Sequence, residues 1–242
     1  MRKRKDAETQ PLTLIGHLEE LRARLWICVA SIFILSVWGF SLAPRLVERL
    51  KRPAGDLLPR LAFFNPLEAM LAHVKVALAF GLFVSMPVLL YELWGFIRPG
   101  LTARERRIGG AFVGWGTLMF LGGVAFGYWV CLPPTLRFLL AFGAQTLEPV
   151  ISVSHYLSFV LTLLLACGVV FELPVVLFFL TKLGVVTPQA LRHHWKLAFL
   201  AIVAGSAILT PTKDIVTLLF LTLPLLLLYG FSILVSTFAK RS

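Results

Sequence analysis

Gly16-His17-Leu18-Glu19-Glu20-Leu21-Arg22-Ala23-Arg24-Leu25 leads directly into an uncharged apolar run that extends to Phe40. Leu14, Leu18, Leu21 and Leu25 share one helical face, with His17, Glu20 and Arg24 along its edge. The stretch predicts an amphipathic helix at a membrane surface that feeds a spanning helix. Two readings of its charges stand side by side. Glu20 and Arg24 pair at i, i+4 as part of a surface anchor, worth only ~0.3–0.5 kcal/mol. Alternatively, the segment forms part of a recognition site.

Further apolar runs follow. The chain has 242 residues, 58% of them apolar and only 14% charged, with a mean hydropathy of +0.86. Soluble domains carry about 25% charged residues. Several runs approach the ~20 apolar residues needed to cross a bilayer, so the chain reads as an all-α polytopic membrane protein. Six spans are expected near 25–43, 70–97, 108–132, 156–180, 197–209 and 215–239. Residues 1–24 then form a cytoplasmic amphipathic segment, and 240–242 a cytoplasmic tail. Ser41-Leu42-Ala43 resembles a cleavage site, but the run before it is long and Pro44 follows, so it is read as a retained span.

The net charge of +11 does not indicate nucleic acid, because the basic residues lie between apolar runs. Fifteen of the 23 lysines and arginines fall on the side of both termini, which predicts an N-in/C-in topology. Cys28, Cys131 and Cys167 lie dispersed in apolar runs and suggest neither a disulfide framework nor a metal site.

Local signals divide the chain further. Asn65-Pro66-Leu67-Glu68 reads as a helix start, with an N-cap, a proline at N1 and an acid at N3. Pro44–Pro66 reads as a long loop in which Pro44–Leu50 forms a short helix on the membrane. Pro87 should kink the second span, and Thr102-Ala103-Arg104-Glu105 has the spacing of a capping box. Glycines 109, 110, 114, 116, 122, 123 and 127 in the third span favour close helix approach. Pro133-Pro134 should end that span, followed by a loop with an apolar patch at Leu136–Phe142. Thr187-Pro188 starts another helix, and Thr210-Pro211-Thr212-Lys213-Asp214 reads as a tight turn with Asp214 as a cap. Span five, Leu197–Leu209, has thirteen residues. That is ~20 Å of helix against a ~30 Å hydrocarbon core.

Glu172 is the costliest residue, an acid inside the fourth span. Ionised in hydrocarbon it costs several kcal/mol, so it needs a proton, a partner or a wet cavity. Pro174 frees the Val170 carbonyl, for which a protonated Glu172 is a nearby donor. Glu172 is thus either a polar contact between spans or a functional acid. Glu92, beside Trp94, reads as an interfacial residue snorkelling to headgroups. His193-His194 reads as an interfacial pair, not a metal site. No P-loop, His-Glu-x-x-His or Gly-x-Ser elbow occurs, so no nucleotide hydrolysis or proteolysis is visible.

Together these residues resemble the TatC family, the core membrane subunit of the twin-arginine translocase. The carrying motifs are His17-Leu-x-Glu20-Leu-Arg22-x-Arg-Leu25 and Pro87-x3-Tyr91-x2-Trp94-x-Phe96-x2-Pro99-x-Leu101-x3-Glu105-Arg106. Phe171-Glu172-Leu173-Pro174 and Leu209-Thr210-Pro211-x2-Asp214 complete the set. The resemblance implies kinked helices forming a concave groove, with a short helix five. It implies a receptor for twin-arginine signal peptides, in which Glu20 and Glu105 bind the arginine pair. Arg22, Phe96, Pro99 and Leu101 would shape that site. Glu172 would face the groove that takes the apolar part of the peptide. Single-span TatA and TatB partners would dock around spans five and six, with Pro174 of span four and Thr210, Pro211 and Asp214 as docking or structural residues. Folded cargo would move across the bacterial inner membrane on the proton gradient, with no cofactor and no covalent catalysis. The chain departs from the family in Glu92, where glutamine is frequent, and in Leu218 and Gly230, which replace polar residues of span six. A rival reading is a proton-coupled small-solute carrier using Glu172 and Glu92; a third is a passive scaffold.

Overall fold

A computed structural model describes residues 14–57, 61–102, 105–143, 150–209 and 215–241. Among these residues the chain is almost entirely helical, with short turns between helices and one isolated parallel bridge between Ala62 and Ser152. Four helices are apolar and long enough to cross a membrane: Ile15–Gly55, Pro66–Val84, Gly109–Ala141 and Val153–Lys182. Expected spans five and six fall on two shorter apolar stretches, Trp195–Ala207 and Thr222–Thr237.

The amphipathic segment and the first span are one helix, α1, Leu14–Lys51. Pro44 lies inside it, so Pro44–Leu50 is not the separate surface helix that the sequence suggests. A proline removes one intrahelical hydrogen bond, and tertiary contacts compensate beyond it. Leu46, Val47 and Leu50 pack on the main core. Tyr128 Oη donates to the Arg49 carbonyl at 2.7 Å, and Tyr156 Oη to that of Leu50 at 2.8 Å. These two phenols satisfy carbonyls that a helix end otherwise leaves open.

α2, Pro66–Val84, begins where the sequence places it. Asn65 Oδ1 accepts from Leu67 N at 3.0 Å, and Glu68 Oε2 reaches back to Phe64 N at 2.8 Å. Glu68 also accepts from the Ser152 hydroxyl, so this start is tied to the segment before α6. The expected kink falls at Ser85, which separates α2 from α3, Met86–Ile97. α1 and α2 pack backbone to backbone, because a Cβ on Gly81 would lie 2.6 Å from the Ile32 carbonyl.

α4, Gly109–Phe126, continues through a π-turn, Gly127–Cys131, into α5, Leu132–Gly143. Pro133 and Pro134 therefore do not end the span, and Leu136–Phe142 is helix, not loop. The wide turn absorbs the two prolines in the first turn of α5, and Leu136 and Leu140 bury themselves in the core. Of the glycines, those at 109, 116 and 123 recur every seventh residue on one face and meet neighbours. A Cβ on Gly123 would lie 2.6 Å from the Cys167 carbonyl of α6, whereas Gly110, Gly114 and Gly122 face open space.

α6, Val153–Lys182, is the central element and packs on α1, α2, α4, α8 and α9. α7, Pro188–His193, starts at Thr187, whose hydroxyl accepts from Ala190 N at 3.2 Å. α8, Trp195–Leu209, has 15 residues, in keeping with a short fifth span. α9, Ile215–Arg241, carries Pro224. Tyr229 Oη donates to the Leu191 carbonyl at 2.9 Å and ties α9 to α7. All three cysteines are free thiols.

Candidate carboxylate site

The start of α1 lies across the end of α3. The His17 ring stacks on Phe96, with centroids 4.2 Å apart and planes at 15°. Two helical turns further along α1, Arg24 stands between two acids. Its Nε and Nη2 donate to Glu20 Oε1 at 3.0 and 2.6 Å. Its Nη1 donates to Glu92 Oε2 at 2.8 Å. Glu92 is thus a buried, ion-paired residue of α3 and not a side chain snorkelling to headgroups. Its position on the side of α3 that meets α1 decides this, whereas Trp94, two residues on, faces α4 and α6. Trp94 is itself buried against the rings of Phe112 and Phe179. Gly95 makes the approach possible, because a Cβ there would strike the Arg24 guanidinium.

The i, i+4 pairing of Glu20 with Arg24 was legible in the sequence, and it is present. The second acid, 68 residues away from Arg24, was not. Glu92 and Gly95 are the members that sequence reasoning left out of the site; it placed His17 and Arg24 on the edge of the candidate segment without giving them a role in binding. The signal available was the edge of α1 that already lined up His17, Glu20 and Arg24.

The remaining expected residues fall as follows. Phe96 is half-buried under His17, and Arg22 is exposed on α1. Pro99 lies exposed in the 3-10 turn Arg98–Gly100 after α3. Arg106 clamps this turn by donating to the Leu101 carbonyl at 3.0 Å and to the Pro99 carbonyl at 3.5 Å. Leu101 packs on the cluster of Leu90, Trp94, Phe112, Val175 and Phe179. Glu105 opens the 3-10 turn Glu105–Ile108, and its side chain lies outside the described residues. Thr210, Pro211 and Asp214 also lie outside them.

Glu172 sits on α6 against α4. A Cβ on Gly116 would approach its Oε2 and Oε1 to 3.1 and 3.5 Å, so glycine leaves the carboxyl its room. Both oxygens are buried and lack a hydrogen-bond partner among the described residues, so no bond to the Val170 carbonyl forms. Pro174 helps to line an apolar hollow of about 250 Å³ with Trp115, Met119, Phe178, Phe231 and Val235, between α4, α6 and α9.

Comparison with known proteins extends this picture. Residues 16–224 match the family model of the Sec-independent protein translocase protein TatC. The chain is 34% identical over 233 residues to the Sec-independent protein translocase protein TatC of Carboxydothermus hydrogenoformans, covering 96% of each chain. It is 38% identical over 234 residues to that of Aquifex aeolicus, covering 95% of this chain and 97% of the other. A crystal structure described as the twin arginine translocase receptor TatC superposes with a TM-score of 0.83 at 37% identity, over 93% of this chain and 100% of that one. With the fold, its apolar helices and nearly full-length identity in agreement, this chain belongs to the TatC family of membrane-embedded, Sec-independent protein translocase proteins.

Proposed function

We propose that the chain is the receptor for twin-arginine signal peptides and the core subunit of a proton-gradient-driven translocase for folded proteins. It spans the bacterial inner membrane six times with both termini cytoplasmic, and works with TatA- and TatB-type single-span subunits and with other copies of itself. Glu20 and Glu105 take the arginine pair, and Arg22, Phe96, Pro99 and Leu101 shape the surface around it. The apolar part of the peptide enters the membrane beside Glu172, next to the hollow at Pro174. Pro174, Thr210, Pro211 and Asp214 belong to the region where partner helices assemble.

The observation that carries this reading is the guanidinium held between carboxylates at the α1–α3 crossing. Arginine engages carboxylates through a planar fork that lysine does not reproduce, so such a site suits selection of arginine over lysine. The test is binding of a labelled twin-arginine peptide to the purified protein in nanodiscs, beside a twin-lysine peptide. Binding that drops for the lysine peptide, and equally in Glu105→Gln, supports the receptor. Equal binding of both peptides refutes it.

A further inference from the structure

Resting on the receptor reading, we infer that Glu92 is a positioning residue that sets specificity. It holds Arg24 when an incoming guanidinium takes Glu20, so the ligand binds by exchange with the protein's own arginine.

Geometry assigns the two acids unequal roles. The side chain of Glu92 is 10% exposed, whereas that of Glu20 is 23% exposed and is the one a peptide can reach. Arg24 bonds to Glu20 through Oε1 alone. The other oxygen, Oε2, lies 3.8 Å from His17 Nδ1, beyond hydrogen-bond distance. A second guanidinium therefore finds on Glu20 an oxygen that accepts no hydrogen bond among the described residues, before Arg24 has to leave. Arg24 already donates to Glu92 through Nη1, so it retains one carboxylate throughout the exchange. The Arg24 side chain is 25% exposed and so has room to shift.

Charge balance gives the same assignment. In the resting trio two carboxylates face one guanidinium, leaving one net negative charge. A bound arginine makes two of each. Without Glu92, the ligand's guanidinium and Arg24 would compete for Glu20 alone, and two like charges would share one counter-ion. Lysine gains less from this arrangement, because a single ammonium does not span a carboxylate in the planar fork.

The experiment measures fluorescence anisotropy of labelled twin-arginine and twin-lysine peptides on the full-length protein in nanodiscs. The wild type is compared with E92Q, E92D and the double variant E92Q/R24Q. E92Q leaves Arg24 paired with Glu20, so no buried charge is orphaned and the variant should fold. It is expected to weaken twin-arginine binding by about tenfold or more, the scale of losing one close charge partner. E92D, which keeps the charge, should bind more tightly than E92Q. The double variant restores one carboxylate to one ligand guanidinium and should return to within about threefold of wild type. E92Q at wild-type affinity overturns the inference. So does a double variant as weak as E92Q, or an E92D indistinguishable from it. A wild-type protein that binds both peptides equally defeats the receptor reading itself. A wild type that prefers arginine, beside an unaffected E92Q, defeats only the role of Glu92.

Discussion

Glu92 and Glu172 are each 8% exposed, yet they live in opposite circumstances. Glu92 accepts a charge-assisted bond from Arg24 at 2.8 Å. Both oxygens of Glu172 have no partner among the described residues. Depth of burial alone therefore says little about the purpose of an acid. Glu92 is part of a joint: its ion pair fastens the start of α1 to the end of α3, and losing Arg24 strands the buried carboxylate. Glu172 fastens none of the described residues, although Gly116 opposite it keeps space for the carboxyl. An acid kept buried without a structural bond is a burden on stability, which points to a role other than holding helices together.

The contrast breaks most easily at Arg24. Arg24→Ala leaves Glu92 buried and unpaired and should cost about 3 kcal/mol, read as a lowered unfolding midpoint in detergent. A midpoint unchanged from wild type would show that the joint bears no weight. Gly95→Ala attacks the same joint from beneath, since its Cβ collides with the guanidinium. Because the guanidinium is the movable end of its side chain, the cost should be about 1 kcal/mol for the displaced ion pair, and binding of a twin-arginine peptide should weaken in parallel. Stability lost with peptide affinity intact would separate the joint from the recognition site.

Asn65→Ala removes an ordinary helix cap at the far end of α2 and sharpens the comparison as a control. It should cost about 1 kcal/mol in the same unfolding assay, with peptide affinity unchanged. The smallest effect on stability belongs to Glu172→Gln. With no partner to lose, it should move stability by less than about 0.5 kcal/mol in either direction, while cargo export in membrane vesicles falls. A large loss of stability would reveal a structural bond and cancel the contrast with Glu92.

What was legible in the sequence was local or periodic. The starts at Asn65 and Thr187 depend on groups within three residues of one another, and both form. The Glu20–Arg24 pair is one helical turn apart and forms as expected. Proline readings fared worse. Pro44 and the pair at 133–134 looked like breaks, because a proline deletes a hydrogen bond wherever it stands in a helix. Tyr128 and Tyr156 closing the end of α1, and the π-turn at Gly127–Cys131, keep those helices running. The tyrosines lie far from Pro44 in sequence, and no residue pattern beside Pro133 signals the π-turn.

The sequence by itself determined an all-helical, membrane-embedded chain and its family, because hydropathy, caps and motif spacing are properties of neighbouring residues. It also marked Glu20 and Glu172 as residues that need an explanation. Only the tertiary structure decided that Arg24 turns toward Glu92, that His17 lies on Phe96, and that Glu172 has no hydrogen-bond partner among the described residues. Those outcomes depend on which helix faces cross and how closely. Here that is set by glycines at 81, 95, 116 and 123, which let backbones and side chains approach to distances that no local pattern encodes.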